Sequence, residues 1–218
     1  MYKALRSVSF GVALSIALTV PTLCSAQSRI AVGLSAGMST ALGDSSNSVS
    51  PTTTLGVLVF LDAAVARRIS IGGEVSWAAP RTVLGRLERL PSRTDFTIGA
   101  YETYVSVPVK INAVSASRFD VQAVVAGGIA LGHATISGMT ENFTAPASRS
   151  SFVNNVSTRA PVVTVGLEAG LKVSRRSAFV FAWRLHLVGD RHGGGDDEFL
   201  AALGGSASRL CGGVRYLF

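Results

Sequence analysis

The sequence predicts an all-β chain that closes into an eight-stranded, antiparallel, up-and-down transmembrane β-barrel. Three observations carry that prediction. The first is hydropathy of period two in eight segments, which is the period of a strand and not of a helix. The second is composition: 48% hydrophobic residues against 15% charged, yet no uninterrupted apolar run of helix-spanning length after the N-terminal region. Helices then cannot cross a bilayer, whereas strands with one apolar face can. The third is the ending Cys211-Gly212-Gly213-Val214-Arg215-Tyr216-Leu217-Phe218. Leu210, Gly212, Val214, Tyr216 and Phe218 share one register there, and Arg209 and Arg215 share the other. Chain ends usually run into polar tails, but a closed barrel needs its last strand to pair with its first.

Residues 1–26 read as a secretory leader, to be cleaved. Lys3 and Arg6 precede an apolar run from Phe10 to Val20, Pro21 ends it, and Cys24-Ser25-Ala26 places small residues before a cut at Gln27. Leu23 is too bulky to precede a lipidated Cys24. Residues 27–218 are expected to form one barrel domain. Loss of the leader removes two of the 20 basic residues and leaves a mild positive excess over 13 acidic ones. No basic stripe interleaved with aromatics accompanies that excess, so it does not point to nucleic acid. Cys211 then stands alone, and no internal disulfide can form.

Each strand follows from its own alternation. The first, about Arg29–Leu42, sets Ile30, Val32, Leu34, Ala36 and Met38 against Gly33, Ser35, Gly37 and Ser39. The second, about Thr52–Leu61, is ambiguous, since Leu55, Val57 and Val59 compete with Leu58 and Phe60. The third, about Ile69–Trp77, sets Ile69, Ile71, Val75 and Trp77 against Ser70, Glu74 and Ser76. The fourth, about Phe96–Ala113, sets Val105, Val107, Val109 and Ile111 against Tyr104, Ser106, Pro108 and Lys110. The fifth, about Phe119–Ala134, sets Val121, Val125, Ile129 and Leu131 against Gln122, Ala126 and Gly128. The sixth, about Val162–Val173, sets Val163, Val165, Leu167 and Leu171 against Thr164, Glu168 and Lys172. The seventh, about Ala178–Val188, sets Phe179, Phe181, Trp183 and Leu187 against Arg184 and His186, and the eighth runs from about Phe199 to Phe218.

Connections alternate in length. Residues 62–68, 114–118 and 174–177 are short turns, each carrying arginine. Residues 43–51, 78–95, 135–161 and 189–198 are expected to be long, mobile, solvated loops, because they are rich in Ser, Thr, Asn, Gly and Pro. In an outer membrane the short turns would be periplasmic and the loops extracellular.

An eight-stranded barrel is wide enough only for side chains. The inward register collects Glu74, Lys110, Glu168, Lys172, Arg184 and Arg215, which are expected to form one lumen charge network. An unpaired charge there would cost roughly 3–5 kcal/mol, so Glu168 is expected to pair with Arg184 on the neighbouring strand. Phe119, Phe179, Tyr216 and Phe218 are expected to form one aromatic girdle, and Trp77, Phe96 and Tyr101 the other.

Four stretches resemble the small bacterial outer-membrane β-barrel domain proteins, the opacity-like, OmpA-transmembrane-domain-like or PorT-like barrels. They are Arg68-Ile69-Ser70-Ile71-Gly72-Gly73-Glu74-Val75-Ser76-Trp77, Tyr104–Lys110, Val125–Gly132 and Gly213–Phe218. The resemblance implies a cell outer-membrane location, with lipids and lipopolysaccharide as surroundings. It implies insertion by the barrel-assembly machinery, which would read Val214, Tyr216 and Phe218 as a C-terminal signal. It also implies a structural or surface-interacting role through the loops, with an unknown loop partner. A narrow transport barrel is the alternative, and a lipid-modifying barrel enzyme the next.

No catalytic residue, cofactor or metal is expected. No Ser stands two residues after His133 or His186, the spacing of the barrel lipid deacylases, and a Ser nucleophile needs a base within reach. Asp196-Asp197-Glu198, near Asp190 and His192, could offer oxygen ligands but matches no calcium-loop pattern.

Overall fold

The computed structural model describes residues 30–42, 53–89, 91–144, 148–193 and 206–218. The expected leader, the 43–51 loop and the acidic stretch Asp196-Asp197-Glu198 lie outside them. Ten strands are described: β1 (Ile30–Leu42), β2 (Thr53–Ala66), β3 (Ile69–Ala78), β4 (Arg81–Arg89), β5 (Ser92–Ser115), β6 (Phe119–Asn142), β7 (Ser148–Lys172), β8 (Ser177–Val188), β9 (His192–Gly193) and β10 (Ser206–Leu217). Every neighbouring pair is antiparallel, in the order β3-β2-β1-β10-β8-β7-β6-β5-β4, and β3 also pairs with β5. That last pairing closes a ring of eight wall positions, with β4 continuing the wall of β3 along the far half of β5. The seam between first and last strands is continuous from Ala31↔Leu217 to Leu42↔Ser206. Phe218 N–H adds a bond to the Ile30 carbonyl at 2.9 Å.

Alternation decides which side chains meet the outside. Val32, Leu34, Val105, Val107, Ile129, Leu167, Phe181 and Val214 are all exposed on the outer face. Their strand neighbours Ser35, Tyr104, Ser106, Ala130, Glu168, Ala182 and Arg215 are buried within. The ambiguous β2 resolves with Leu58, Phe60 and Asp62 inward and Val59 outward. Gly33 explains why Phe60 fits. The two are cross-strand partners, and a Cβ on Gly33 would lie 2.1 Å from the Phe60 ring. Between β3 and β5 the ladder skips Gly72 and Gly73. Pro108 lies opposite this gap, and it has no N–H to donate.

The regions expected as loops at 78–95 and 135–161 are mostly strand. β4 and β5 form a hairpin around Pro91, and β6 and β7 continue far beyond the barrel wall to Asn142 and Ser148. β5 and β6 have 24 residues each and β7 has 25. A tilted crossing strand needs only about 9–11.

The surplus stands off the barrel as a four-stranded sheet, β4-β5-β6-β7. Its inward register keeps an apolar cluster of Ile98, Ala100, Ala134, Ile136 and Val156, with Phe96 packed against it. Phe96 therefore belongs to that cluster and not to an outer aromatic girdle. Its other face exposes Thr82, Leu84, Arg86 and Glu88 of β4.

The tight approach at Gly33 yields a test. Gly33→Val should drive the Phe60 ring from its place and lower stability by about 1–3 kcal/mol, the usual cost of overpacking. Urea unfolding of the refolded barrel in detergent measures it, and an unchanged midpoint would place Phe60 elsewhere.

Candidate functional site

The lumen holds two tiers of charge. The lower tier lies toward the short turns and both described chain ends. It gathers Asp62 from β2, Glu74 from β3, Lys110 from β5, Asp120 from β6, Glu168 from β7, Arg184 from β8 and Arg215 from β10. Glu168 is the hub. Its Oε2 accepts from Lys110 Nζ at 2.9 Å and Arg184 Nη2 at 2.8 Å, and its Oε1 accepts from Arg215 Nη1 at 3.2 Å. Lys110 also donates to Asp62 at 2.7 Å and sits 3.9 Å from the Phe60 ring centroid. Arg215 grips both oxygens of Asp120, at 2.9 and 2.6 Å. Gly170 makes room for this grip, since a Cβ there would lie 2.1 Å from Asp120 Oδ1. Arg184 turns its Nε and Nη2 to Glu74, at 3.2 and 3.1 Å to Oε2.

Of the six residues expected in the network, the structure brings Glu74, Lys110, Glu168, Arg184 and Arg215 together. Lys172 is not among them. It lies at the rim, two residues beyond Gly170, and its Nζ donates to the Ala116 carbonyl at 3.1 Å. Sequence reasoning misses two carboxylates. It places Asp62 in a turn, although Asp62 continues the inward register of Leu58 and Phe60. Asp120 begins the fifth expected strand, opposite Gly170, in the register of Gln122.

The upper tier lies outside the expected charge network, although alternation already puts Tyr104, His186 and Arg209 in the inward register. Glu102 and Tyr104 of β5 share the inward register of Lys110, and Tyr104 donates to Glu102 at 2.7 Å. Arg191, just before β9, closes over Glu102 in a salt bridge. The His186 ring stacks on Tyr104 with centroids 4.3 Å apart, and its Nδ1 lies 2.8 Å from Thr164 Oγ1. Arg209 of β10 lies 4.6 Å from the Tyr104 ring centroid. It donates Nε to Ser39 at 3.1 Å and Nη1 to Ser76.

A His–Ser contact exists on the outer wall as well. His133 Nδ1 lies 3.1 Å from Ser157 Oγ, and Tyr101 tilts over the imidazole at 5.1 Å. Among the described residues no carboxylate is bonded to this histidine. Both residues sit mid-ladder in the β6–β7 pairing, where backbone N–H groups are committed to neighbouring strands. The pair makes a polar cross-strand contact. Among the described residues no group of three metal-ligating side chains converges.

On the stand-off sheet, Asp95 accepts from Arg86 at 2.6 Å and from Arg93 at 3.1 Å. The hydrogen bond from Arg86 holds the Asp95 carboxyl below the usual carboxylate range.

The two tiers predict how the lumen responds to mutation. Glu168 keeps Lys110 and Arg215 when Arg184 is lost, but Glu74 loses its guanidinium. Arg184→Met should cost roughly 3–5 kcal/mol by leaving a buried carboxylate unpaired. Adding Glu74→Gln should recover more of that loss than adding Glu168→Gln, which removes the hub from two other cations. Double-mutant cycles by urea unfolding in detergent read the order, and equal rescue by both would show that Glu74 does not depend on Arg184.

No family model matches the sequence, and no curated protein matches it. Solved structures do match the fold. Ail, the attachment invasion locus protein of Yersinia pestis, aligns with TM-score 0.51 at 12% identity, covering 88% of this chain and 100% of that one. A major outer membrane protein from Thermus thermophilus aligns with TM-score 0.54 at 11% identity, with the same coverage. This chain therefore has the fold of the small eight-stranded outer-membrane β-barrels.

Proposed function

We propose that the chain is an integral barrel of a bacterial outer membrane, with a plugged lumen and a surface-interaction role carried by the stand-off sheet. The abrupt end of its apolar outer belt carries this reading. On β6 the outward register runs Phe119, Val121, Ala123, Val125, Gly127, Ile129 and Leu131, then changes to His133, Thr135 and Ser137. The same change occurs between Val105 and Thr103 on β5, and between Pro161 and Arg159 on β7. By register Trp77, Thr103, Leu131 and Arg159 are cross-strand partners along one row, and on β5, β6 and β7 the change falls within two residues of that row.

From Phe119 to Leu131 is about 40 Å along the strand. At a tilt of about 45° that gives a height of about 28 Å, close to the ~25 Å band of membrane barrels. Phe119, Phe179, Tyr216 and Phe218 are exposed near the lower edge, where a girdle belongs.

Above the belt, β6 continues from His133 to Asn142, about 30 Å further. The outer face of the sheet carries hydroxyls, amides and ion pairs, with Leu84, Met139 and Val153 exposed among them. Thr135 Oγ1 donates to Asn155 at 2.9 Å, and Arg149 pairs with Glu141 at 2.9 Å. A polar sheet of that reach is placed to meet molecules outside the cell. The ion network beneath spans the lumen from several strands, which disfavours transport.

Insertion is assigned to β10. Val214 and Tyr216 are exposed on its outer face, and the Tyr216 and Phe218 rings meet edge to face at 4.9 Å. We infer that the assembly machinery reads this strand face.

Two experiments test the proposal. With Cys211→Ala as background, cysteines at Ser148 and Ser151 should react with an impermeant maleimide on intact cells, and cysteines at Ser117 and Ser174 only after lysis. The reverse pattern would invert the barrel, and labelling of all four on intact cells would remove it from the membrane. Phe218→Asp should cut the heat-modifiable band recovered from outer membranes severalfold, and normal recovery would refute the role of β10 as a signal.

A further inference from the structure

Arg209 stands apart from the other lumen cations. It is 1% exposed, and the groups it touches are neutral: two serine hydroxyls and the Tyr104 ring. Lys110, Arg184, Arg191 and Arg215 each hold a carboxylate, whereas among the described residues no carboxylate lies within salt-bridge distance of Arg209. Its Nη2 has no hydrogen-bond partner among the described residues. A guanidinium stays charged in a protein, and a buried charge without a counter-charge is costly.

Arg209 also lines a cavity of about 20 Å³ at the top of the lumen, together with Ser39, Tyr101, Glu102 and Arg81. One water needs about 10–15 Å³, so the space fits a single sphere and excludes phosphate or sulfate. At this level Arg191 is paired with Glu102, and among the described residues no carboxylate is paired with Arg209. The lower tier has the opposite sign, with Asp62, Glu74, Asp120 and Glu168 against Lys110, Arg184 and Arg215. The charge that would balance the top is negative, monovalent and one atom in size.

We propose that this cavity is a monovalent-anion site in which Arg209, unpaired by any described carboxylate, binds a halide such as chloride. Arg209 supplies the charge, and Glu102 is masked by Arg191 and Tyr104. The anion would tie β10 to β3 and β5 at the mouth, where no salt bridge among the described residues joins those strands. Because a ligand that binds only the folded state stabilises it, halide should act as a structural ion.

The test uses the full barrel refolded in detergent. Urea midpoints are measured in sodium chloride and in sodium gluconate at equal ionic strength, and crystals grown in bromide are examined by anomalous scattering. A chloride-dependent rise in midpoint that saturates, with one bromide peak beside Arg209, is expected. Arg209→Met should abolish the chloride dependence, while Arg86→Gln, on the stand-off sheet, should keep it. If Arg209→Met fails to fold, the wild-type titration and the bromide map decide alone. Equal midpoints in the two salts, or a map with no bromide at Arg209, would leave the cavity to water and overturn the proposal.

Discussion

Ring closure at eight strands is the constraint from which the rest of this molecule follows. It fixes a lumen so narrow that every inward side chain touches several others. The wall therefore alternates between long charged residues and very small ones. Phe60 faces Gly33, Arg184 faces Gly166, and the Asp120–Arg215 pair faces Gly170. The inward charges of the lower tier also find partners from across the barrel, not only from a neighbouring strand. Arg184 on β8 reaches Glu74 on β3, which is not its neighbour in the ring. Such cross-lumen contacts brace the ring, so the ion network acts as an internal strut.

The barrel wall is legible in the sequence because a membrane imposes two different solvents on one strand. Apolar outside and small or charged inside is a pattern that most of the expected strands show plainly. β2 is the exception for a specific reason: its inward Leu58 and Phe60 are as apolar as its outward Val57 and Val59. Nothing in β2 itself breaks that tie. The neighbouring Gly33 does, but only once the pairing register is known. Where the lipid ends, the pattern ends too. Thr135, Ser137, Asn155 and Ser157 face water on strands that continue unbroken, and such composition is the composition of loops. The stretches 78–95 and 135–161 read as loops for that reason, although Ala134 and Ile136 still mark an inward register.

The charge network is legible in kind and only partly in membership. Glu74, Lys110, Glu168, Arg184 and Arg215 lie mid-strand, where register alone decides their direction. Asp62 lies one residue beyond the expected end of the second strand, and that displacement hides it, whereas Asp120 falls inside the fifth expected strand, in the inward register of Gln122. Lys172 shows the converse error. It shares the register of Glu168, but it lies four residues nearer the rim, where its long stem lets the ammonium reach the Ala116 carbonyl and water. Register assigns a face, whereas height along the barrel assigns an environment, and height cannot be read from alternation.

Height also separates the two tiers chemically. Carboxylates dominate below and guanidinium groups above, so the lumen carries a field along its axis instead of a neutral mixture. A permeating cation would meet Arg209 and Arg191 at the mouth. A permeating anion that passed them would meet Glu74, Glu168, Asp62 and Asp120 beneath. Either sign is opposed at one level. The same arrangement leaves the wall rigid under the stand-off sheet. The sheet inherits its base from β5, β6 and β7, which run without interruption from the charged tiers to the polar face. A partner docking on that face, as proposed, would meet strands already fixed in position, so less conformational entropy would be lost on contact.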